Sequence, residues 1–206
     1  MQKGDLVKNK KIAALLLAAL FSGCSSPQPA AQQYILSPQI NITPIQKSKY
    51  KTKTLKVLNV YTQSNLRTRN MYYVEDEKEK YAYSMSKWAE SPSTMIHKAL
   101  IQMLEQSAAF GHVQGQQSKV HSDFVLETRV DDFGQYFSDD EKDAFGRISL
   151  TLTLIDAKKH TIVSSKTFTA QAALKQLNAA GGAEALNEAL RALLQDASHW
   201  IQEVTQ

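Results

Sequence analysis

The side chains that could carry chemistry are few and lie far apart along this chain. Its single cysteine is Cys24, so neither an intramolecular disulfide nor a cysteine-based zinc site can form. The histidines are scattered without the spacing of metal ligands: His97, His112, His121, His160 and His199. Neighbouring carboxylates, as in residues 139–143, fall in polar segments where no burial would tune a pKa for catalysis. We therefore predict that the protein is not an enzyme and binds no metal or cofactor.

Cys24 follows an arrangement that points to covalent modification. A basic segment, an apolar run over residues 12–21 and the small pair Ser22-Gly23 precede it in that order. The run is about half of the roughly 20 residues that span a bilayer, which is typical of a signal peptide. The pattern resembles the bacterial lipoprotein cleavage box, with Phe21 where Leu is usual. That resemblance implies cleavage before Cys24 and attachment of diacylglycerol to its thiol. The alternatives are an ordinary secretory leader with an incidental cysteine and a retained N-terminal anchor.

Lipidation at Cys24 predicts a domain held at a membrane, because several acyl chains give stable anchoring. Ser25 follows the cysteine, and by resemblance to the enterobacterial sorting rule the expected location is the outer membrane, facing the periplasm. Residues 24–33 are small and polar with two prolines, which predicts a flexible tether. Residues 1–23 are thus the predicted signal peptide, and residues 34–206 the predicted single periplasmic domain.

Composition and charge narrow the function classes. The chain has 206 residues and 43% hydrophobic residues, which is typical of a globular protein. Its formal net charge is +4, but the leader holds most of that excess in Lys3, Lys8, Lys10 and Lys11. The remainder is close to neutral. A nucleic-acid-binding domain usually keeps a basic surface, so we do not expect nucleic acid as a partner.

Periodicity predicts two long helices. Ser91-Pro92 is a helix-start signal, and apolar residues recur at helical spacing from Met95 to Leu104. A second apolar stripe predicts a helix over residues 183–204, directly after Gly181-Gly182.

Alternating residues predict the strands. The clearest pattern lies in residues 145–156 and continues as a hairpin with residues 161–171. Residues 71–74 and 81–83 flank a charged tip and predict another hairpin, and residues 123–131 predict a half-buried strand. A short first strand is expected at residues 34–36. The predicted fold class is α+β, with a mostly antiparallel sheet and two long amphipathic helices packed on one face.

Two groups of residues are candidate contact sites. Trp88 and Pro92 stand between a predicted strand and the first helix, where they either dock a partner or close the edge of the core. Lys47, Lys49, Lys51 and Lys53 occupy alternate positions, so an extended segment would turn them all to one side. That side would contact anionic lipid headgroups or an acidic partner, unless the lysines are simply solvated.

Several stretches together resemble one known family. They are Cys24 with its leader, Tyr34-Ile-Leu36, Met71-Tyr-Tyr-Val74, the segment from Tyr81 to Pro92, Asp123-Phe124-Val125-Leu126-Glu127 with Phe133 and Phe137, the strand ending at Asp156, and the terminal helix closing on Trp200. On these marks the chain resembles the ABC-type transport auxiliary lipoproteins, the group that includes paraquat-inducible protein C. Trp-Ala-x-x-Pro before a helix is the most specific mark. Family members often have Arg where this chain has Lys87.

The resemblance implies a role rather than a reaction. Such lipoproteins are periplasmic partners of ABC systems in which an MCE-domain protein, a permease and an ATPase move lipids between the two membranes. The expected function is therefore that of a non-enzymatic adaptor subunit, anchored through its lipid and docking as a homo-oligomeric ring. A structural or assembly lipoprotein that supports an outer-membrane protein or lipopolysaccharide is the alternative, and a protein that binds lipid directly is a third.

Overall fold

The computed structural model describes residues 30–76, 78–138 and 144–206. Residues 31–206 form one unit by their contacts. Cys24, the predicted signal peptide, most of the predicted tether and the acidic residues 139–143 lie outside the described residues. Their predicted roles therefore stay predictions.

The described chain contains eight strands, two α-helices and a short 3-10 turn at Ser64–Arg67. The strands are β1 Gln32–Tyr34, β2 Thr54–Val57, β3 Asn70–Glu75, β4 Glu79–Trp88, β5 His112–Gly115, β6 Phe124–Phe137, β7 Ala144–Asp156 and β8 Thr161–Ala173. The helices are α1 Pro92–Ser107 and α2 Ala179–Thr205.

Strand β6 is the centre of the sheet. One of its edges pairs with β7 along nearly its whole length, and β7 in turn pairs with β8, both antiparallel. Two strands share the other edge of β6, and both are parallel to it. Strand β2 pairs with the start of β6, near Phe124, and β3 pairs with its end, near Phe137. Strand β5 pairs in parallel with β2, β4 pairs antiparallel with β3, and β1 pairs in parallel with β4.

The predicted mostly antiparallel sheet with two helices on one face is wrong. The sheet is mixed, since β1–β4, β2–β5, β2–β6 and β3–β6 are parallel pairs. The helices also do not share one set of strands, because α2 lies mainly over β7 and β8 whereas α1 contacts β5 and the 3-10 turn. Alternation along a strand marks its buried face but not the direction of its neighbour, so the parallel pairs could not be predicted from periodicity.

Helix α1 begins and ends as its sequence dictates. The Ser91 hydroxyl oxygen accepts the Thr94 backbone N–H at 3.3 Å, and Pro92 occupies the first helical turn. Beyond Ser107, Ala108 adopts a left-handed conformation with φ 49° and stops the helix. Met95, Ile96 and the other apolar residues of the predicted stripe are buried.

Helix α2 begins earlier than predicted, at Ala179 rather than at residue 183. Asn178 caps it by accepting the Gly181 N–H at 2.9 Å, so Gly181 and Gly182 lie inside its first turns. Its buried stripe faces the sheet, where the Trp200 ring packs edge-on against Phe168 at 5.8 Å.

The segment between β1 and β2 has no regular structure, yet it belongs to the core. Leu36, Ile40 and Ile45 are buried along it. The Ile45 N–H donates to the Ser107 carbonyl at the end of α1, 2.8 Å away. These contacts carry the chain along α1 to the start of β2.

Candidate functional site

The sheet gives the domain two ends, defined by β6. At the lower end, β6 begins at Phe124 beside Leu55 of β2. At the upper end, β6 ends at Phe137 beside Glu75 of β3. The turn between Asp156 and Thr161 belongs to the lower end, because Asp156 pairs with Phe124.

Strand β1 enters the sheet from the upper end. Strand β1 runs opposite to β6, since it is parallel to β4, which is antiparallel to β3, which is parallel to β6. Tyr34 pairs with Trp88, whose ring centroid lies 6.0 Å from that of Phe133. The distance along β6 from Phe133 to Phe124 is about 30 Å, at a rise of roughly 3.3 Å per residue. Strand β1 therefore runs from the upper end towards the lower end.

The predicted lysine site lies at the lower end, in turns and not in an extended strand. Lys47, Lys49 and Lys51 are exposed and line a shallow depression with Gln206; we call these three the lysine surface. Among the described residues they form no ion pair. Lys53 differs, because its Nζ lies 3.2 Å from Asp123 Oδ1.

The backbone beneath the lysine surface is fixed by hydrogen bonds. The Ser48 hydroxyl donates to the Ala109 carbonyl at 2.6 Å, and the Lys49 N–H donates to the Thr205 carbonyl at 2.8 Å. The Tyr50 ring packs on Phe110 and Phe124, with centroids 5.7 and 4.3 Å away. The lysine side chains thus extend from a backbone whose position these contacts fix.

Asp123 is the acidic centre of the lower end. Its Oδ2 accepts the Thr54 backbone N–H at 2.9 Å. This hydrogen bond, helped by the Lys53 ammonium, holds the pKa of the Asp123 carboxyl below its usual range. The carboxylate therefore stays charged and joins β2 to β6.

Trp88 and Pro92, the other predicted contact residues, are both buried. The indole of Trp88 is 1% exposed, and the Arg69 Nε donates to the Trp88 carbonyl at 2.9 Å. Pro92 forms the first turn of α1. The structure thus favours the core role over the docking role, because a buried ring offers no contact surface.

The upper end carries an aromatic cluster that the sequence analysis did not single out. The Tyr73 ring stacks on Tyr81 with centroids 5.5 Å apart, lies tilted against Tyr83 at 4.7 Å, and meets Phe137 edge-on at 5.6 Å. These rings, except Tyr81, line a cavity of about 330 Å³ that also contains Glu75 and Asp76. Burial raises the pKa of Tyr83 to about 12, so the phenol stays neutral. In the sequence, the alternation of Tyr81 and Tyr83 along β4 was the feature that could have predicted this cluster.

The histidines come together in no site. His97 lies on α1, where burial lowers its pKa although a hydrogen bond with the Leu58 backbone acts in the opposite direction. Within residues 30–76, 78–138 and 144–206, no group of three or more His, Cys, Asp or Glu side chains could hold a metal ion. No helix in the described part of the chain has both the length and the apolarity to cross a membrane.

Solved structures share this fold at low sequence identity. Protein XCC0632 from Xanthomonas campestris is 19% identical, with a TM-score of 0.73 over 84% of this chain and 96% of that one. An uncharacterized protein is 15% identical, with a TM-score of 0.64 over 84% and 99%. The hypothetical protein CT253 from Chlamydia trachomatis is 7% identical, with a TM-score of 0.50 over 74% and 97%. These likenesses show the fold alone.

A comparison with the curated proteins finds no match. The family described as "ABC-type transport auxiliary lipoprotein component" matches residues 26–198 of this chain. That match covers nearly the whole described domain and confirms the resemblance seen in the sequence. The chain belongs to the ABC-type transport auxiliary lipoprotein family.

Proposed function

We propose that the protein is a lipid-anchored, non-enzymatic adaptor of an ABC transport system that contains an MCE-domain protein and moves lipids between the inner and outer membranes. The family match over residues 26–198 carries this proposal. The leader before Cys24 supports the anchor, because its basic, apolar and small segments stand in the order that lipoprotein processing requires.

We place the anchor in the outer membrane, facing the periplasm. Ser25 after the lipidated cysteine supports this location by the enterobacterial sorting rule. Acyl chains on Cys24 would hold the domain at the bilayer, and the predicted flexible tether that follows would leave it free to reach the rest of the transport system.

The open edges of the sheet support a ring of several copies. Strand β8 covers Thr161–Ala173, and its outer edge pairs with no described strand. At the opposite side, β1 pairs only with Ser86, Lys87 and Trp88, which leaves the outer edge of β4 from Glu79 to Met85 without a described partner. Because β8 and β4 run in opposite directions, one copy could add its β8 edge to the β4 edge of the next.

The test is co-purification from membranes solubilised in mild detergent. The lipoprotein carries an affinity tag and is expressed with the permease, ATPase and MCE-domain protein whose genes we expect to lie beside its own. We expect the MCE-domain protein to elute with the lipoprotein. If a β-barrel protein elutes instead and its assembly fails when the lipoprotein is deleted, the adaptor proposal is wrong and the assembly alternative is correct.

The anchor is tested separately by Cys24→Ala. We expect this variant to leave the membrane fraction, whereas a variant with Ser25→Ala stays in it. A Cys24→Ala protein that is still held by the membrane would contradict lipidation at this residue.

A further inference from the structure

We propose that the aromatic cavity at the upper end of the domain binds a small organic cation, with a quaternary ammonium group such as that of choline as its best match. This cavity, which we call the cation cavity, is lined by Tyr73, Tyr83, Phe137, Leu177, Glu75 and Asp76. The proposal goes beyond the proposed function and does not depend on it, because binding such a cation requires no transport partner.

Three strands bring the aromatic walls of the cation cavity together on one face of the sheet. Tyr73 of β3 pairs with Tyr81 of β4 and with Gln135 of β6. Side chains two residues apart along a strand share a face, which places Tyr83 and Phe137 on the face of Tyr73. Relative to the Tyr73 ring, the Tyr83 ring is inclined by 45° and the Phe137 ring by 87°. The rings therefore form an angled wall rather than a flat patch.

Helix α2 begins over the same face. A Cβ atom at Gly182 would clash with the Gln135 side chain, so the first turns of α2 pack closely on the sheet here. The Tyr83 hydroxyl donates to Gln135 Oε1 at 3.1 Å, which fixes the position of the ring. Leu177 lies just before the α2 cap and lines the cavity, although the residue is 51% exposed. The entrance thus has an apolar side chain that an N-methyl group can contact.

Two carboxylates of the cation cavity have no cationic partner. Glu75 is the last residue of β3, and Asp76 follows it in the turn. Neither makes an ion pair with a described residue. The Asp76 N–H donates to the Phe137 carbonyl at 3.1 Å, which holds this part of the turn against β6. A bound cation would supply the positive charge that these carboxylates lack.

The nearby lysines are turned away from the cavity or already paired. Lys80 alternates with Tyr81 along β4, so its side chain points to the other face of the sheet. The Lys175 Nζ lies 2.5 Å from Glu184 and 3.3 Å from Glu188. No lysine or arginine is among the described residues that line the cavity. An external cation therefore does not compete with an internal one.

The balance of charge at the cavity favours a cation over an anion. Lys78 in the turn and the partial positive charge at the start of α2 act against a bound cation. Against them stand three carboxylates, those of Glu75, Asp76 and Glu79. The segments that adjoin the cavity in sequence, Glu77 and residues 139–143, also contain more carboxylates than lysines.

The aromatic lining selects the kind of cation. The face of an aromatic ring attracts a cation, and rings beside carboxylates recognise quaternary ammonium groups, whose methyl groups also make apolar contacts. The volume of about 330 Å³ lies at the small end of the roughly 300–1,000 Å³ that ligand pockets enclose. A compact methylated ammonium ion therefore suits the cation cavity better than a long or anionic ligand.

Isothermal titration of the full-chain lipoprotein in nonionic maltoside micelles tests the site. Choline is the probe, and 3,3-dimethylbutanol is the matched control, because it has the same shape with carbon in place of the charged nitrogen. We expect choline to bind with a Kd below about 1 mM and the alcohol to bind at least about tenfold more weakly. Equal affinity for the two compounds, or a choline Kd above about 10 mM, would overturn the proposal.

The carboxylates are tested by the double variant Glu75→Gln and Asp76→Asn. Asp76 has a φ of 51°, which Asn also tolerates, so this variant keeps the backbone of the turn. It should bind choline about tenfold more weakly than the natural protein. The matched control, Glu105→Gln with Asp196→Asn, removes the same charge from exposed positions on the two helices and should stay within about twofold. An equal loss in both double variants would contradict a local role for Glu75 and Asp76.

The aromatic wall is tested by Phe137→Leu, which keeps an apolar side chain but removes the ring. This variant should bind choline about three- to tenfold more weakly. Tyr72→Leu is the control, because Tyr72 alternates with Tyr73 along β3 and does not line the cavity. Its affinity for choline should stay within about twofold of that of the natural protein. If Phe137→Leu binds choline as tightly as Tyr72→Leu does, the ring does not contact the cation and the proposal is wrong.

Two further probes identify the source of the cation. Glycerophosphocholine carries the same ammonium group with the phosphate of a lipid headgroup. Both of its outcomes support the ammonium site: affinity within about tenfold of choline assigns the cavity to a headgroup, and weaker binding assigns it to a free amine, because Glu75 and Asp76 repel the phosphate. A blocked trilysine peptide that binds at least about tenfold more tightly than choline would overturn the proposal, since the cavity would then belong to a docking surface for a basic protein segment.

Discussion

The backbone N–H of Lys49 donates to the carbonyl oxygen of Thr205 across 2.8 Å, which joins the lysine surface to the end of α2. Helix α1 ends nearby, because Ser48 bonds the Ala109 carbonyl just beyond Ser107. The C-terminal end of a helix carries a partial negative charge. Two such ends lie beneath the lysine surface, so positively charged side chains are favoured there.

This arrangement predicts a stabilising role for Lys49. Lys49→Glu should lower the free energy of unfolding by about 0.5–1 kcal/mol, because it replaces a favourable charge near a helix end with an unfavourable one. Urea unfolding measures the loss, which should shrink as salt is added. Lys87→Glu on β4 is the control and should have a smaller effect. A loss that is unchanged at high salt would contradict an electrostatic origin.

Trp88 gives a prediction that separates packing from docking. Trp88→Ala should lower the free energy of unfolding by about 3–5 kcal/mol, because the ring is buried and packs on Phe133. Trp88→Phe keeps an aromatic ring in the same place and should lose less stability. If the residue has only a core role, the folded Trp88→Phe protein retains its partner in the co-purification experiment. A Trp88→Phe protein of nearly natural stability that no longer captures its partner would restore the docking role.

The local parts of the fold followed from the sequence. Ser91-Pro92 starts α1 at the predicted residue, and the β7–β8 hairpin lies within two residues of its predicted ends. Each of these features depends on neighbours in sequence: a cap, a stripe or an alternation. The family also followed, because its marks are spread along the whole chain.

The long-range parts did not follow. The parallel pairing of Leu55 with Phe124 and of Glu75 with Phe137 joins segments far apart in sequence. The alternate lysines would face one side only if their segment were extended. Ser48 and Tyr50 between them instead face inward to bond Ala109 and to pack on Phe110, and the segment forms turns. Such tertiary contacts override the local pattern.

Asp123 should make the domain sensitive to acid. Its folded-state pKa is depressed by the Thr54 N–H and by Lys53, so its contribution to stability is full above the ordinary Asp pKa and is lost as pH falls below it. Asp123→Asn should cost about 1 kcal/mol at neutral pH, with the difference from the natural protein vanishing below about pH 3. Thermal unfolding at several pH values measures this. Asp196→Asn, on the exposed side of α2, is the control, and a cost that persists at low pH would contradict the assignment.

Protonation of His97 should also lower the stability of the domain as pH falls, but at a higher pH than protonation of Asp123. Burial lowers its folded-state pKa, so the unfolded chain binds a proton more readily and stability falls as pH drops below the unfolded His pKa of about 6.5. His97→Gln should remove that part of the fall between neutral pH and about pH 5. His199→Gln, exposed on α2, should leave it unchanged. Parallel stability curves for His97→Gln and the natural protein would disprove this role.

Gly182 gives the sharpest packing prediction, because a Cβ atom there would lie 1.9 Å from Oε1 of Gln135. Gln135 is fully buried and its Oε1 accepts the Tyr83 hydroxyl at 3.1 Å, so the amide cannot move aside without breaking that bond. Gly182→Ala should therefore lower the free energy of unfolding by about 1–3 kcal/mol, although alanine favours helices. Gly115→Ala is the control, since its nearest contacts would be an ordinary 3.8 Å. Chemical denaturation compares the two, and a Gly182→Ala protein as stable as Gly115→Ala would show that the first turns of α2 can move away from the sheet.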